Sequence, residues 1–338
     1  MTVTAKEIAK QLNLSEAAIS MALNNKPGVS TATRKKIVEA AKEMGYDFTR
    51  VTEQNAQPQI NNGTIYFLIY RKHGAVVTDT PFFSQVSEGI DYGCKRAHYH
   101  LNVYYIYEGD PIDSQIEEIL RMGCKGIILL GTEMKEEDYS HFTKISVPLV
   151  LLDAYFEDSR TDCVLINNIQ GAYQATNYLI HKCKTQPGYL HSSYAINNFN
   201  ERADGFYKAV RRNGMSTSKS IVHSLSPSME GAYADMAELL NQGEEIANCY
   251  FADNDLIAAG AIKAFREKNY RIPQDIAIIG FDNMPLCSYI DPTLTTVNVP
   301  KQYMGEMAAQ RLAYIIESPS SSPVKIEIST NLVTRKSV

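Results

Sequence analysis

Glu16, Ala17, Ser20, Met21 and Asn24 fall on one side of a short helical pattern, opposite Ala18, Ile19, Ala22 and Leu23. A carboxylate, a hydroxyl, an amide and two slender apolar groups on one exposed face can hydrogen-bond and touch methyl groups. That is the chemistry of contacting base-pair edges in a groove, not of breaking bonds. Bond-making groups elsewhere are scattered. The six cysteines, Cys94, Cys124, Cys163, Cys183, Cys249 and Cys287, lie 20 or more residues apart with no Cys-x-x-Cys pair, so reduced structural thiols are expected. The seven histidines form no ligand-spaced cluster, and Gly-x-Ser-x-Gly, Walker and Gly-x-Gly-x-x-Gly segments are absent. No catalytic residue, metal or cofactor is expected.

The elements that must hold the outward face are legible around it. Thr4 opens a helix in which Ala5, Ile8, Ala9 and Leu12 recur at helical spacing, and Asn13 sits where a turn needs a left-handed residue. Ser15 is a natural N-cap for the second helix. After Asn25-Lys26-Pro27-Gly28, Ser30 caps a third helix that packs Ile37, Val38, Ala41 and Met44 and stops at Gly45. The three form a helix-turn-helix. Residues 1–50 hold eight Lys or Arg against five acids, a net of +3, so the other 288 residues carry −8 of the total −5. Basic charge is thus concentrated where phosphate neutralisation would need it.

With 338 residues, 44% of them hydrophobic, the chain has length for a small domain plus a larger two-lobed body. No run of eighteen apolar residues and no signal-peptide pattern occurs, which predicts a cytoplasmic protein with no membrane partner. Between Arg50 and Gly63 the sequence turns polar and aperiodic, the composition of a linker. Beyond it, short apolar runs alternate with amphipathic helices. Residues 65–70, 101–106, 126–130, 148–152 and 164–166, then 189–190, 221–222, 249–252 and 276–281, are predicted strands of two α/β lobes with mainly parallel sheets. The expected division is 1–48 for the helix-turn-helix domain, 49–62 for a hinge or linker, and 63–338 for the core.

The chain resembles the lactose-repressor (LacI/GalR) family of bacterial transcription regulators. The matching segments are Val3-Thr4 with Glu7-Ile8-Ala9, Leu14-Ser15 through Ile19-Ser20, Leu23-Asn24, Val29-Ser30 with Thr33-Arg34, and Gly45-Tyr46. The resemblance implies an all-α amino-terminal domain on a periplasmic-binding-protein-like core, a double-stranded, pseudo-palindromic operator and a homodimer. It also implies that Glu16, Ala17, Ser20 and Met21 face base edges. Family members commonly carry Arg where this chain has Met21, so the bidentate guanine contact is missing and a half-site less dependent on guanine is predicted. Ser20, Asn24, Ser30, Thr33 and Arg34 are expected to anchor phosphates and register. Thr4, Ser15, Arg50 and Asn55 complete the set. In the family's hinge helix a leucine wedges into the minor groove at the position of Asn55. An amide cannot serve as that wedge, which leaves either Val51 in its place or a hinge that orders less.

The same resemblance extends into the core, where it implies a small-molecule effector between the lobes. Asn200-Glu201-Arg202 with Gly205-Phe206 matches the family's arginine motif, Ala252-Asp253-Asn254-Asp255 its Asn-Asp segment, and Gly280-Phe281-Asp282-Asn283 its Gly-x-Asp segment. Arg202, Asn254 and Asp282 would then bind effector oxygens and hydroxyls. From the other lobe Asp79, Phe82 and Phe83 would contact it, with Asn198 and Tyr233 as further carry-overs. Polar groups alternating with rings suit a sugar or sugar derivative, and purines lie within the family's range. Read without the family, Phe82 and Phe83 fit a core at a helix start, Asp282 a turn cap, and Arg202 an ion pair with Asp204 or Glu201. Residues 292–300 are expected to cross back between lobes. The tail from Ser318 lacks leucine heptads, which argues against a tetramer. A transport-type sugar-binding protein and an enzyme on a doubly wound sheet are the competing classes.

Overall fold

The computed structural model describes residues 3–24, 26, 28–46, 61–72, 74–77 and 81–338. The chain divides into two compact units, Met1–Ile60 and Asn61–Val338. In the first, α1 (Ala5–Leu12), α2 (Glu16–Leu23) and α3 (Thr31–Glu43) bury Ile8, Ala9, Ile19, Ala22, Ile37 and Ala41 against one another. Each helix begins on a side-chain cap. Thr4 forms a reciprocal capping box with Glu7, Ser15 accepts from the Ala18 N–H at 3.2 Å, and Ser30 accepts from the Thr33 N–H at 3.2 Å. Asn13 takes the left-handed conformation, with φ 53°.

The second unit holds two six-stranded sheets. Lobe one contains β1 (Thr64–Arg71), β2 (His100–Tyr107), β3 (Cys124–Leu130), β4 (Leu149–Leu152) and β5 (Asp162–Ile166), with α4 (Pro81–Arg96), α5 (Ile112–Arg121) and α6 (Glu136–Tyr139) between them. Lobe two contains α7 (Asn168–Cys183), β6 (Gly188–Ser192), α8 (Asn197–Arg212), β7 (Val222–Leu225), α9 (Met229–Gln242), β8 (Cys249–Ala252), α10 (Asp255–Glu267), β9 (Ala277–Asp282) and β10 (Thr295–Asn298). The chain then returns to lobe one as α11 (Lys301–Glu317) and β11 (Lys325–Ile328), and ends in lobe two with β12 (Asn331–Val333). The sheet orders are β11-β5-β4-β3-β1-β2 and β12-β10-β9-β8-β6-β7, parallel throughout except for the β10–β12 pair.

Central strands are apolar on both faces because both are covered. On β1, Ile65, Phe67 and Ile69 enter one core cluster, while Tyr66, Leu68 and Tyr70 enter the other, the alternation a pleated strand requires. The helices α4 and α11 approach closely in lobe one. A Cβ at Gly89 would strike the carbonyl of Gln302, and one at Gly305 would strike the carbonyl of Val86.

Three crossings join the lobes, after β5, after β10 and after β11, where the sequence pointed to one. The tail is therefore structural: it donates one strand to each sheet. Among the described residues no helix is long and apolar enough to cross a membrane.

Candidate functional site

Glu16, Ala17 and Ser20 are exposed on α2, whereas Met21 and Asn24 are half-buried. Met21 leans over the turn, where a Cβ at Gly28 would come within 2.8 Å of its sulfur, and Gly28 holds φ +115°, a conformation that favours glycine. Asn24 donates through Nδ2 to the Ser20 carbonyl at 2.8 Å, and the hydroxyls of Ser30 and Thr33 share a hydrogen bond of 2.8 Å.

Arg34, expected to anchor phosphate, makes contacts within the unit that the sequence did not reveal. Its Nη1 donates to the carbonyls of Met21 and Ala22, each at 3.0 Å, and its Nη2 to that of Lys26 at 2.5 Å. These carbonyls belong to the end of α2 and the turn after it, where each oxygen can accept a second hydrogen bond, so the guanidinium locks α2 to α3. Lys35 and Lys36, next along α3, are exposed and hold cationic charge outward. Arg50, Val51 and Asn55 lie outside the described residues, as does Asp79.

In the second unit, one cavity of about 50 Å³ gathers Phe82, Phe83, Asn198, Arg202, Asn254 and Asp282, with Thr132, Asp153 and Asp255 in the same wall. Each of these residues sits at or just past the carboxyl end of a strand or within the first two turns of a helix. This is where an open parallel sheet leaves room for a ligand. Asn198 and Arg202, four residues apart, share one face of α8. Asn254 caps α10 by accepting from the Ile257 N–H at 2.8 Å. Phe82 and Phe83 meet edge to face, their centroids 5.0 Å apart.

Arg202 is 3% exposed. Its Nε donates to Asn168 Oδ1 at 3.0 Å, its Nη1 to the Asp253 carbonyl and its Nη2 to Asp282 Oδ1 at 3.2 Å, while its plane lies 3.8 Å from the Phe281 ring centre. Glu201, the alternative partner, accepts instead from Asn168 Nδ2 at 2.8 Å. Lys301 is buried behind Asp282 and donates to its carbonyl and to that of Val299. Burial pushes the Asp282 carboxyl up, opposed by the charges of Arg202 and Lys301; burial also pushes the Lys301 ammonium down.

Asp153 and Asp255 were not singled out from the sequence. Asp153 follows β4 at φ 61° and is 3% exposed; its Oδ2 accepts from Thr132 Oγ1 at 2.6 Å, and its Oδ1 has no hydrogen-bond partner. Burial raises its carboxyl to about 6. Asp255 accepts from the Met284 N–H at 2.7 Å and from Thr296 Oγ1 at 2.5 Å; burial, then the charge of Asp282, raises it to about 7. A signal for Asp153 was available, since an acid directly after the apolar run 148–152 marks the carboxyl end of a buried strand. Asp282, like Asp153, has positive φ, at 105°. Backbone strain held at such positions is common where ligands bind.

The loop that carries lobe one's wall is fixed by Glu133, which is 3% exposed. Its Oε2 accepts from the N–H groups of Lys72 and Gly74 at 2.9 and 3.0 Å, and its Oε1 from those of Val76 and Val77, both at 2.8 Å. Tyr233 does not join this wall. Its hydroxyl donates to Glu267 Oε2 at 2.7 Å, and Lys263 lies 3.9 Å above its ring. Glu267 ends α10, twelve residues from the end that faces the cavity, about 18 Å along a helix. The family resemblance carried Tyr233 over by position, without saying which neighbour its face of α9 meets.

Among the described residues, the cavity wall holds no histidine, cysteine, serine or lysine. It can accept and donate hydrogen bonds and cover a ring, which is chemistry for holding a polar molecule. Residues 4–47 match the bacterial regulatory proteins of the lacI family, and residues 177–338 match the periplasmic binding protein-like domain. The transcriptional regulator GalS of Salmonella typhimurium is 29% identical over 91% of this chain and 88% of its own. A structure of the regulator CelR with cellobiose superposes with a TM-score of 0.74 at 23% identity, covering 99% of this chain and 100% of that one. The lac repressor dimer bound to operator and the anti-inducer ONPF gives 0.69 at 20% identity, covering 100% and 99%. With a lacI-family regulatory domain at residues 4–47 and a periplasmic binding protein-like domain at residues 177–338, this chain is similar to the LacI/GalR transcription regulators.

Proposed function

We propose that the chain is an effector-controlled repressor that binds a pseudo-palindromic operator as a homodimer in the cytoplasm and senses a sugar or sugar derivative between the lobes of its core. In this reading residues 1–48 read DNA, 49–62 link, and 63–338 sense and dimerise; the chain has no catalytic role and carries no cofactor. The convergence of Arg202, Asn198, Asn254 and Asp282 from lobe two with Phe82, Phe83 and Asp153 from lobe one carries the reading. A wall shared by two lobes links occupancy to the angle between them. Lobe movement then changes the spacing of two helix-turn-helix units across a dimer, and half-site geometry turns spacing into affinity.

At the DNA, Glu16, Ala17, Ser20 and Met21 face base edges. Asn24, Ser30 and Thr33 set the pose, Thr4 and Ser15 cap the helices whose N-terminal N–H groups approach phosphate, Arg34 holds α2 against α3, and Arg50 and Asn55 act in the link. CelR with cellobiose supports a sugar as effector, and the lac repressor dimer on its operator supports the DNA partner. The test is selection of bound duplexes from a random pool by the full chain, followed by titration of the selected site with and without sugars. A selected palindrome whose affinity shifts with one sugar is expected. Failure to prefer any duplex over random competitor overturns the reading.

A further inference from the structure

The cleft is not neutral, and its charge is arranged against one class of ligand. Resting on the reading of this cavity as the effector site, we infer that it selects an uncharged, hydroxyl-rich effector and rejects the phosphorylated or carboxylated form of the same sugar. Among the described residues three carboxylates, Asp153, Asp255 and Asp282, line the cavity, against one cation, Arg202. That cation is partly committed. Of the five N–H donors a guanidinium has, three go to Asn168 Oδ1, the Asp253 carbonyl and Asp282 Oδ1.

Two N–H groups remain, one on each Nη, and a phosphate or carboxylate that took them would lie against the Asp282 carboxylate already bonded to Nη2. Asp282 would then share its one cation with the incoming anion, beside Asp255 and Asp153, and among the described residues no other positive charge lines the wall. Lys301 cannot supply one, because its ammonium is buried behind the cavity on the carbonyls of Asp282 and Val299. An incoming anion would meet like charge on both lobes.

The hydrogen-bonding inventory points the same way. Asp153 Oδ1 is buried without a partner and needs a donor. A hydroxyl supplies one, and an anionic oxygen supplies a second acceptor and a repulsion. Asp255 offers a ligand no free acceptor, both its oxygens being occupied by the Met284 N–H and the Thr296 hydroxyl. Burial already pushes the carboxyls of Asp153, Asp255 and Asp282 upward, so the site bears its own negative charge at a cost that a ligand anion would add to.

The experiment measures binding of paired probes to the full chain by calorimetry at matched ionic strength: glucose with glucose 6-phosphate and glucuronate, galactose with galacturonate, and ribose with ribose 5-phosphate. In any set that binds, the neutral member should be at least about tenfold tighter, the equivalent of one lost hydrogen bond to a charged group. A charged member that binds as tightly or more tightly overturns the inference and leaves the sugar reading intact. No binding by any member, charged or neutral, overturns the sugar reading and this inference with it. Asp153→Asn and, as a second variant, Asp282→Asn should each narrow the neutral-to-charged ratio by about threefold or more. An unchanged ratio in both removes the carboxylates as its cause.

Discussion

Arg202 donates to Asp282 across 3.2 Å while its face rests 3.8 Å from the centre of Phe281, so one guanidinium both neutralises a strained carboxylate and stiffens the end of β9. Replacement by Lys keeps the charge and loses the planar fork. Arg202→Lys is expected to keep operator affinity and lose the effector-dependent shift in that affinity. Arg202→Met leaves Asp282 facing Asp153 and Asp255 without a cation in the wall and should cost about 3–5 kcal/mol of core stability at neutral pH. Denaturant unfolding of both variants beside the native chain checks this, and equal midpoints for Met and native would refute it.

The raised carboxyl of Asp153, at about 6, fixes the direction of its pH dependence. An acid with an ordinary value near 3.8 when unfolded and a higher one when folded binds its proton more tightly in the native state. Its contribution is therefore neutral below about pH 4, grows unfavourable as pH rises to about 6, and stays unfavourable above. Asp153→Asn keeps an oxygen for Thr132 and removes the charge. It should equal the native chain in stability near pH 4 and exceed it at pH 8 by about 1–3 kcal/mol. Thermal melts across that range decide the matter, and a variant less stable than native at pH 8 would sink the assignment.

Glu133 gathers four backbone N–H groups of one loop, from Lys72 to Val77, and Val76 of that loop lines the cavity beside Phe82. In Glu133→Gln an amide NH₂ replaces one oxygen, so two of these donors face a donor. The cost should be about 1–3 kcal/mol, felt first as faster amide hydrogen exchange at Val76 and Val77 and as weaker effector binding. Operator affinity without effector should not change. Exchange at native rates in the variant would show that the loop is held by other contacts.

Much of this architecture is written where burial and local geometry coincide. The apolar runs of β1, β3 and β9 read as strands because both faces are covered, and Thr4, Ser15 and Ser30 read as caps because a cap is a local bond. What depends on distant partners was not legible. Residues 325–328 and 331–333 look alike as short strands, yet they pair with different sheets, a choice made by β5 and β10. Arg34 reads as one more surface cation until the fold brings the carbonyls of Met21, Ala22 and Lys26 to it. Tyr233 has an aromatic ring in a family position, but its hydroxyl finds Glu267 on the far end of α10.

The inward turn of Arg34 and the apolar Met21 make the DNA-binding unit testable through salt and sequence separately. Each Lys or Arg that neutralises a phosphate contributes a slope of about −0.9 to log affinity against log salt. Arg34→Gln removes the bonds joining α2 to α3 and should lower the melting temperature of the amino-terminal unit while leaving the salt slope of operator binding unchanged. Lys35→Gln or Lys36→Gln, changing exposed side chains, should shallow the slope with little effect on melting. Met21 offers a base pair only methyl and thioether contact, so selected half-sites should show no invariant guanine opposite it. Met21→Arg should introduce one, worth about 1–3 kcal/mol against other bases. An invariant guanine already present in sites selected by the native chain would mean that another side chain reads that position, and α2 would then have to sit in the groove in a different pose.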